Sequence, residues 1–318
     1  MTHAPHDAGA ESAAAMYAAA RLYYEEGLAQ HEVAERLGVS RSTVSRLLRQ
    51  AREHDIVRVE IRPPSAVAEL SVRLAAALGL RRAVVVPALA PGGGPQALVE
   101  PTLRELDRLG LGPGDVIAVS WGHTVWEVAR ARRFPALRDV RLVPAIGGMD
   151  ESDVRFQTNE IARRIAAASG ADVSFLHAPA LPSPGLRRSL LADPDTAARL
   201  ALWDRLTAVL VGVGMPPSRS ETGSAHVIAH RAGLAGAVGD VVSRHFDLAG
   251  GAIGFPDEDR MLGVSREQLR TAGTVIGVAA GTEKVASVVG AARARLIDVL
   301  VTDAATAAGA LDLVAANA

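Results

Sequence analysis

A strongly basic segment near the start of the chain has the residue types that bind nucleic acid. Residues 36–62 contain seven Arg against Glu53, Asp55 and Glu60, whereas the 318-residue chain as a whole has a net charge of −1. Arg can pair with guanine, and Ser or Thr can contact bases or phosphates. On a helix over 41–54, the outward polar side chains would be Arg41, Ser42, Thr43, Ser45, Arg46 and Arg49. The segment therefore predicts contacts to double-stranded DNA.

A second set of residues could hold a small anion. Of the 34 basic residues only Lys284 is a lysine, and it closely follows a glycine at the end of an apolar segment. Three other apolar segments run into the glycine-containing sequences WGHT, GGMDESD and GMPPSRSETG. Glycine lets the backbone approach a ligand, and free amides at a helix start favour phosphate. These segments predict an anion-binding crevice that includes Gly122, Gly147, Gly148, Gly281 and Lys284. Taken singly, each glycine is also typical of a turn, and a lone lysine of a solvated charge.

The basic residues must be positioned by secondary-structure elements. The stretch QHEVAERLGVSRSTVSRLLR fits a helix-turn-helix position by position. Ala34 is small where two helices cross, Gly38 tolerates a positive φ in the turn, and Ser40 can cap the second helix. The inward positions are apolar, at Val33, Leu37, Val44, Leu47 and Leu48. The alternative is an ordinary helical hairpin with a solvated basic face. Because half-sites are read by copies related by a two-fold axis, DNA binding also predicts an oligomer.

The glycine-containing segments can form one binding site only if the strands that precede them end at the same edge of a sheet. Apolar strands are predicted over 83–87, 115–120, 140–146, 172–178, 207–214, 274–281 and 298–303. Helical patterns alternate with them, near 96–109, 123–133, 157–169, 193–205, 224–234, 282–294 and 303–315. This alternation predicts an α/β fold with a mostly parallel sheet covered on both faces. Ligands bind beyond the carboxyl ends of such strands, where the glycine segments would lie.

Length and composition set the domain organisation and exclude several protein classes. A chain of 318 residues holds about two domains. A strand predicted over 56–61, followed by two prolines, marks the boundary between a DNA-binding domain over 12–62 and an effector-binding and oligomerisation domain over 66–318. The lack of cysteine excludes thiol catalysis and Cys-ligated metals. No segment has the pattern of a membrane span or a signal peptide, so we expect a cytoplasmic protein with no metal and no cofactor.

Taken in order, the motifs resemble the SorC family of bacterial sugar-responsive transcriptional regulators. The resemblance covers nearly the whole chain and is carried by LYYEEGLAQHEVAERLGVSRSTVSRLLRQAREHDIVRVEI, DVIAVSWGHTV, PAIGGM, QTNEIARRIA, AVGDVVSRHFD and VAAGTEKVASVVGAARARLIDVLVTDAATA. It implies a Rossmann-like second domain similar to glucosamine-6-phosphate deaminase, ribose-5-phosphate isomerase and coenzyme A transferases. It also implies a homotetramer and, as effector, a phosphorylated sugar.

The resemblance further implies roles for single residues. Lys284 matches a lysine that contacts phosphate in the family, and Asp240 matches an acidic position that accepts protons from sugar hydroxyls. The SWGHT segment matches a phosphate-contacting loop. The other residues implied to contact the effector are Gly122, His123, Thr124, Gln157 and Arg219.

Two positions depart from the family pattern. His123 stands where Thr or Ser is common, and Ala145 and Ile146 stand where some relatives carry a Lys or Arg that reaches the ligand. A Schiff base at that segment is therefore excluded, and a bisphosphate is less well matched. We expect a mono-phosphorylated sugar or polyol.

The sequence thus predicts a DNA-binding repressor or activator of a carbohydrate-catabolic operon, controlled by that effector, and not an enzyme. The alternative is a sugar-phosphate isomerase or deaminase that carries a DNA-binding module. Asp240, Glu160 or His123 could then serve as the general base that such a reaction needs. The spacing places no second acid or base beside them.

Overall fold

Three helices form the first of two compact units, which cover residues 1–62 and 63–318. The computed structural model of the protein describes residues 8–58, 65–87, 95–149, 152–215 and 231–317. The helices of the first unit are α1 (Ala8–Tyr24), α2 (Gln30–Leu37) and α3 (Arg41–Glu53).

These helices enclose a small apolar core of their own. Val33 of α2 and Val44 and Ala51 of α3 are fully buried in it. Gly38 ends α2 at a φ of 66°, a left-handed conformation that glycine adopts without strain. The two helices predicted over 30–37 and 41–54 are confirmed, the second being one residue shorter.

The strand predicted over 56–61 is wrong over its first three residues, and residues 59–61 lie outside the described chain. The amides of Ile56 and Val57 both donate to the carbonyl of Ala51, at 2.9 and 3.1 Å. Asp55 has a φ of 55°, which turns the chain back over the end of α3. These amides close the helix and are not free to pair with another strand.

The second unit is built on a seven-stranded sheet in the order β1–β10–β9–β5–β2–β3–β4, in which all strands are parallel. Its strands are β1 (Arg82–Val86), β2 (Val116–Val119), β3 (Arg141–Pro144), β4 (Asp172–Val173), β5 (Ala208–Gly212), β9 (Thr274–Val278) and β10 (Val299–Asp303). A small antiparallel sheet contains β6 (Gly239–Val241), β7 (Arg244–Phe246) and β8 (Ala252–Ile253). The predicted α/β class with a mostly parallel sheet is confirmed.

The large sheet is buried on both faces. Along β2, Val116 and Ala118 pack into one apolar cluster, whereas Ile117 and Val119 pack into a second. Successive side chains of a strand point to opposite faces, so each face has its own core. This burial explains why the strands are apolar throughout.

Helices supply both covering layers. They are α4 (Ser65–Leu78), α5 (Val99–Arg108), α6 (His123–Ala129), α7 (Thr158–Ser169), α8 (Pro184–Ala192), α9 (Pro194–Leu200), α10 (Arg266–Thr271), α11 (Val285–Arg293) and α12 (Ala304–Ala315). The sequence patterns did not predict α4, α8, α10 or the small sheet. Of the helix predicted over 224–234, residues 224–230 lie outside the described chain, and the rest is a 3₁₀ turn, Arg231–Leu234.

The strand predicted over 172–178 is short for a specific reason. After β4, the side chain of Asn159 donates to the carbonyl of Leu176 at 3.0 Å and accepts from its amide at 3.1 Å. An amide side chain thus replaces a neighbouring strand as the hydrogen-bonding partner. The chain leaves the sheet there without an unpaired backbone group at Leu176.

No helix in the described part of the chain is long and apolar enough to cross a membrane. Among the same residues, no group of three or more His, Asp or Glu side chains is placed to hold a metal ion.

Candidate DNA-binding and effector sites

Helix α3 begins with a network of hydroxyl groups. The Ser40 hydroxyl accepts from the amide of Thr43 at 3.1 Å and caps the helix. Its oxygen also lies 2.8 Å from the hydroxyls of Ser42 and Thr43. The Thr43 side chain is half-buried, so its hydroxyl serves mainly to fix the start of α3.

The rest of α3 divides sharply into two faces. Val44, Leu47, Leu48 and Ala51 are buried against α1 and α2. The opposite face exposes Arg41, Ser42, Ser45, Arg46 and Arg49. Arg49 lies 3.8 Å from Glu53, whereas within the described chain no hydrogen bond or ion pair engages the side chain of Arg46. This is the arrangement that a helix needs to present a free guanidinium in the major groove.

In the second unit, Lys284 lies where two strands of the large sheet end. It closes the 3₁₀ turn Thr282–Lys284 that follows β9, and its Nζ donates to the carbonyl of Val213, just beyond β5, at 2.8 Å. Burial lowers the pKa of Lys284, and the carboxylates of Asp240 and Glu283 oppose that shift. The ammonium is therefore partly desolvated, and two carboxylates favour its charged form.

Gly281 sets the position of this lysine. It has a φ of 108°, its amide donates to Oδ1 of Asp303 at 3.4 Å, and its carbonyl accepts from the amide of Lys284 at 2.9 Å. The positive φ favours glycine here. Because the Gly281 amide is already paired with Asp303, this glycine shapes the loop for Lys284.

Asp240 is held both by its carboxylate and by its backbone. Its Oδ2 accepts from the amide of Ser243 at 2.9 Å, and its backbone carbonyl accepts from the amide of Gly214 at 2.8 Å. A methyl group added at Gly214 would overlap Oδ1 of Asp240 and lie 2.8 Å from Cγ. Gly214 thus leaves the space that the Asp240 carboxylate occupies.

We expect Gly214→Ala to displace the Asp240 carboxylate and weaken effector binding roughly 10- to 100-fold, the loss of one hydrogen bond to a charged group. Isothermal titration with a sugar phosphate that binds the parent measures the effect. Gly212→Ala is the matched control, because a methyl group there meets its nearest atoms at 3.6 and 3.8 Å, ordinary contact distances. Equal affinities of the parent and Gly214→Ala would remove Asp240 from the site.

Gly122 ends the loop between β2 and α6, and His123 and Thr124 begin α6. Gly122 precedes α6 with a φ of 114°, and its amide donates to the carbonyl of Arg155 at 2.9 Å. The His123 side chain remains exposed, but nearby protein atoms remove part of its solvation and lower its pKa. The charges of Arg155, whose Nη1 lies 3.2 Å from Nδ1 of His123, and of Lys284 lower that pKa further. Thr124 follows in the first turn of α6 and is half-buried.

Gly147 and Gly148 have a different role from the one predicted. Their amides donate to the carbonyls of Leu262 and Ala178, at 2.9 and 2.7 Å, and are not available to an anion. A methyl group at Gly147 would lie 2.7 Å from the Ala178 carbonyl oxygen. These glycines allow two backbone segments to approach closely.

Two predicted site residues remain. The half-buried side chain of Gln157 caps no helix amide, although the residue precedes α7, and its Nε2 lies 3.5 Å from the carbonyl of Met149. Arg219 lies outside the described residues.

Comparison with known proteins identifies the family. The family model described as "Putative sugar-binding domain" matches residues 62–312, and the model "Sigma-70, region 4" matches residues 21–54. The sorbitol operon regulator of Klebsiella pneumoniae is 32% identical over 91% of this chain and 94% of its own. The chain belongs to the SorC family.

Other SorC-family relatives match most of the chain. The deoxyribonucleoside regulator of Bacillus subtilis is 29% identical over 91% of this chain and 94% of its own. The crystal structure of the full-length sorbitol operon regulator SorC from Klebsiella pneumoniae covers 95% of this chain and 99% of that one, with 31% identity and a TM-score of 0.69. The resemblance on which the family was predicted is confirmed, and these relatives are named as regulators.

The structure adds residues to the candidate site that the sequence analysis did not name. Arg155 contacts His123 of the SWGHT loop and is itself paired with Asp153, and Gly214 contacts Asp240. Arg155 and Gly214 each lie more than 20 residues from the residue that they contact. Lys284 influences the pKa of His123, and Asp240 influences that of Lys284, whereas the amides of Gly147 and Gly148 are engaged in backbone hydrogen bonds.

Proposed function

We propose that this protein is a transcriptional regulator whose binding to operator DNA is controlled by a mono-phosphorylated sugar or polyol. The DNA-reading face is the exposed side of α3, with Arg41, Ser42, Ser45, Arg46 and Arg49 toward the duplex and Thr43 in the helix cap. The effector lies beyond the ends of β2, β5 and β9.

One observation supports the effector assignment most strongly. The only lysine of the chain holds its Nζ at the ends of β5 and β9, where it is partly desolvated and where the carboxylate of Asp240 favours its charged form. A compact ammonium suits a phosphate as a point charge. The neighbouring carboxylate suits the hydroxyl groups of the same molecule, because an ionised carboxylate only accepts hydrogen bonds.

We favour regulation over catalysis at this site. Isomerisation or deamination of a sugar phosphate needs an acid and a base that exchange protons with the substrate. Among the described residues, no second acid or base forms a hydrogen bond with the Asp240 carboxylate, whose Oδ2 accepts from the Ser243 amide, and Glu160 is bound to Arg163 and Arg164 on the surface of α7. Turnover of a bound sugar phosphate, followed by NMR, would overturn this view.

We also propose a homo-oligomer, with the tetramer implied by the family. A single recognition helix covers one half-site, and two-fold symmetry supplies the second. The effector can act on such an assembly only if it binds two arrangements of the domains with different affinity. Effector binding would then change the spacing of the recognition helices.

The test is fluorescence anisotropy of a labelled duplex from upstream of this protein's gene, at one fixed salt concentration. Sugar phosphates and their unphosphorylated parents are titrated into the complex. We expect one phosphorylated compound to shift DNA binding while its parent does not. A shift by the unphosphorylated sugar alone would overturn the phosphate assignment, and no binding to the duplex would overturn the assignment of α3.

A further inference from the structure

Two adjacent residues that precede α7, Arg155 and Phe156, contact the end of the β2–α6 loop and the start of α6. The carbonyl of Arg155 accepts from the amide of Gly122 at 2.9 Å, and its guanidinium nitrogen Nη1 lies 3.2 Å from Nδ1 of His123. The ring of Phe156 packs edge-on against Trp121 and His123, with centroids 5.6 and 6.1 Å apart. Backbone and side chain together fix where His123 stands.

Arg155 is itself held rigidly. Its Nε donates to both carboxylate oxygens of Asp153, at 2.9 and 2.8 Å, and its backbone amide donates to Oδ1 at 2.9 Å. The hydrogen bonds from Arg155 hold the pKa of Asp153 at about 2. The carboxylate therefore stays ionised near neutral pH, and the ion pair persists.

The contact between Arg155 and His123 determines which ring nitrogen carries the proton. A guanidinium has five donors and no acceptor, so Nδ1 of His123 must accept. In a neutral imidazole with an accepting Nδ1, the proton resides on Nε2. The N–H that remains available to a ligand is then that of Nε2.

We propose that Arg155 is a positioning residue of the effector site, which fixes His123 in the neutral tautomer protonated at Nε2 and so gives the effector anion a directed donor without a second charge. The consequence for the effector rests on the proposed function. Lys284 supplies the charge, His123 supplies the directed N–H, and Arg155 is neutralised by Asp153. A site with one positive charge and one neutral N–H donor fits a single phosphate better than a bisphosphate.

The charged groups around His123 support the neutral form. Desolvation lowers the pKa of His123 most, followed by Arg155, and Lys284 from the β9–α11 turn acts in the same direction. Asp153 from the segment of Arg155 and Glu127 from α6 oppose them. Removal of Arg155 should therefore raise the pKa of His123 and let the imidazole bind a proton on mild acidification.

The tautomer can be measured without any ligand. In ¹⁵N NMR spectra of the labelled full chain, with His123→Gln used for assignment, we expect Nδ1 of His123 to appear as an unprotonated nitrogen and Nε2 as protonated. Arg155→Met should give a mixture of tautomers, whereas Arg155→Lys, which keeps a donor, should restore the parent pattern. Arg163→Met is the matched control, because Arg163 is an exposed arginine on α7 paired with Glu160.

A parent spectrum in which Nδ1 carries the proton would overturn the proposal. The same holds if Arg155→Met leaves the ring resonances of His123 unchanged. Neither result depends on an effector. A failure of this proposal can therefore be distinguished from a failure of the proposed function.

Binding of sulfate, a dianion throughout the range, gives the second readout between about pH 6 and about pH 8. We expect the affinity of the parent and of Arg155→Lys to depend less on pH than that of Arg155→Met, because Arg155 lowers the pKa of His123. In Arg155→Met, protonation of His123 should strengthen binding up to about thirty-fold toward low pH, the attraction between one added positive charge and a dianion in water. A flat profile for Arg155→Met would overturn the proposal. If the tautomer result holds but the parent binds no sulfate, the positioning role stands and the anion site of the proposed function fails.

Discussion

Lys284→Met is expected to abolish the response of operator binding to a sugar phosphate while leaving operator affinity unchanged. The substitution keeps the length of the side chain but removes the ammonium. That group donates to the Val213 carbonyl, and the carboxylate of Asp240 favours its charged form. Truncating one member of a buried charged contact costs about 2–5 kcal/mol, or roughly 30- to several-thousand-fold in affinity. The measurement is the effector dose-response of duplex anisotropy at fixed salt.

Two further variants make this result specific. Arg104→Met removes a cation of α5 that is 48% exposed and forms a 3.9 Å contact with Glu100, so its dose-response should match that of the parent. Lys284→Arg keeps the charge, but its planar fork replaces a compact ammonium in a confined position, so we expect only partial recovery. If Lys284→Met retains the parent dose-response, Lys284 does not bind the effector.

The large sheet could be predicted from sequence because burial on both faces leaves a strong local signal. β2, β9 and β10 are buried throughout, and each lies within a predicted apolar run. The small sheet left no such signal. Its strands have two or three residues, too few to show a period, and the β6–β7 turn is formed by Val242 and Ser243 at φ of 52° and 57°. A β-branched residue is rare at positive φ, so this pair does not indicate a turn.

The candidate site could be predicted where a motif names the residue and not where distant residues meet. Asp240 and His123 were predicted from the family resemblance, and Lys284 was also predicted from its place after a glycine at the end of an apolar segment. The pairing of Arg155 with His123 spans 32 residues and depends on where two loops end. The glycines at 147 and 148 show the opposite case, since a glycine after a strand is equally consistent with close backbone packing.

The domain that reads DNA has its own apolar core, which separates its stability from effector binding. The described residues of α1, α2 and α3 bury Met16, Val33 and Val44 among themselves. A variant on the exposed face of α3 therefore leaves this core intact. Changes in DNA affinity at that face can be attributed to contacts with the duplex.

Arg46→Ala is expected to weaken operator binding and relax its sequence preference while the effector site still binds its ligand. Arg46 is exposed near the middle of α3, and no described side chain competes for its guanidinium. A bidentate pair between Arg and guanine contributes about 1–3 kcal/mol of discrimination, roughly 5- to 150-fold per half-site. Competition between operator and scrambled duplexes in anisotropy measures the loss.

Arg49→Ala separates base reading from general attraction to phosphate. Arg49 lies 3.8 Å from Glu53, one turn further along α3. A phosphate contact there would weaken binding to all sequences alike and reduce the salt slope by about one, without relaxing sequence preference. If Arg46→Ala behaves in that way too, Arg46 contacts the backbone and another residue reads the base. If Arg46→Ala binds operator as tightly as the parent, α3 is not the recognition helix.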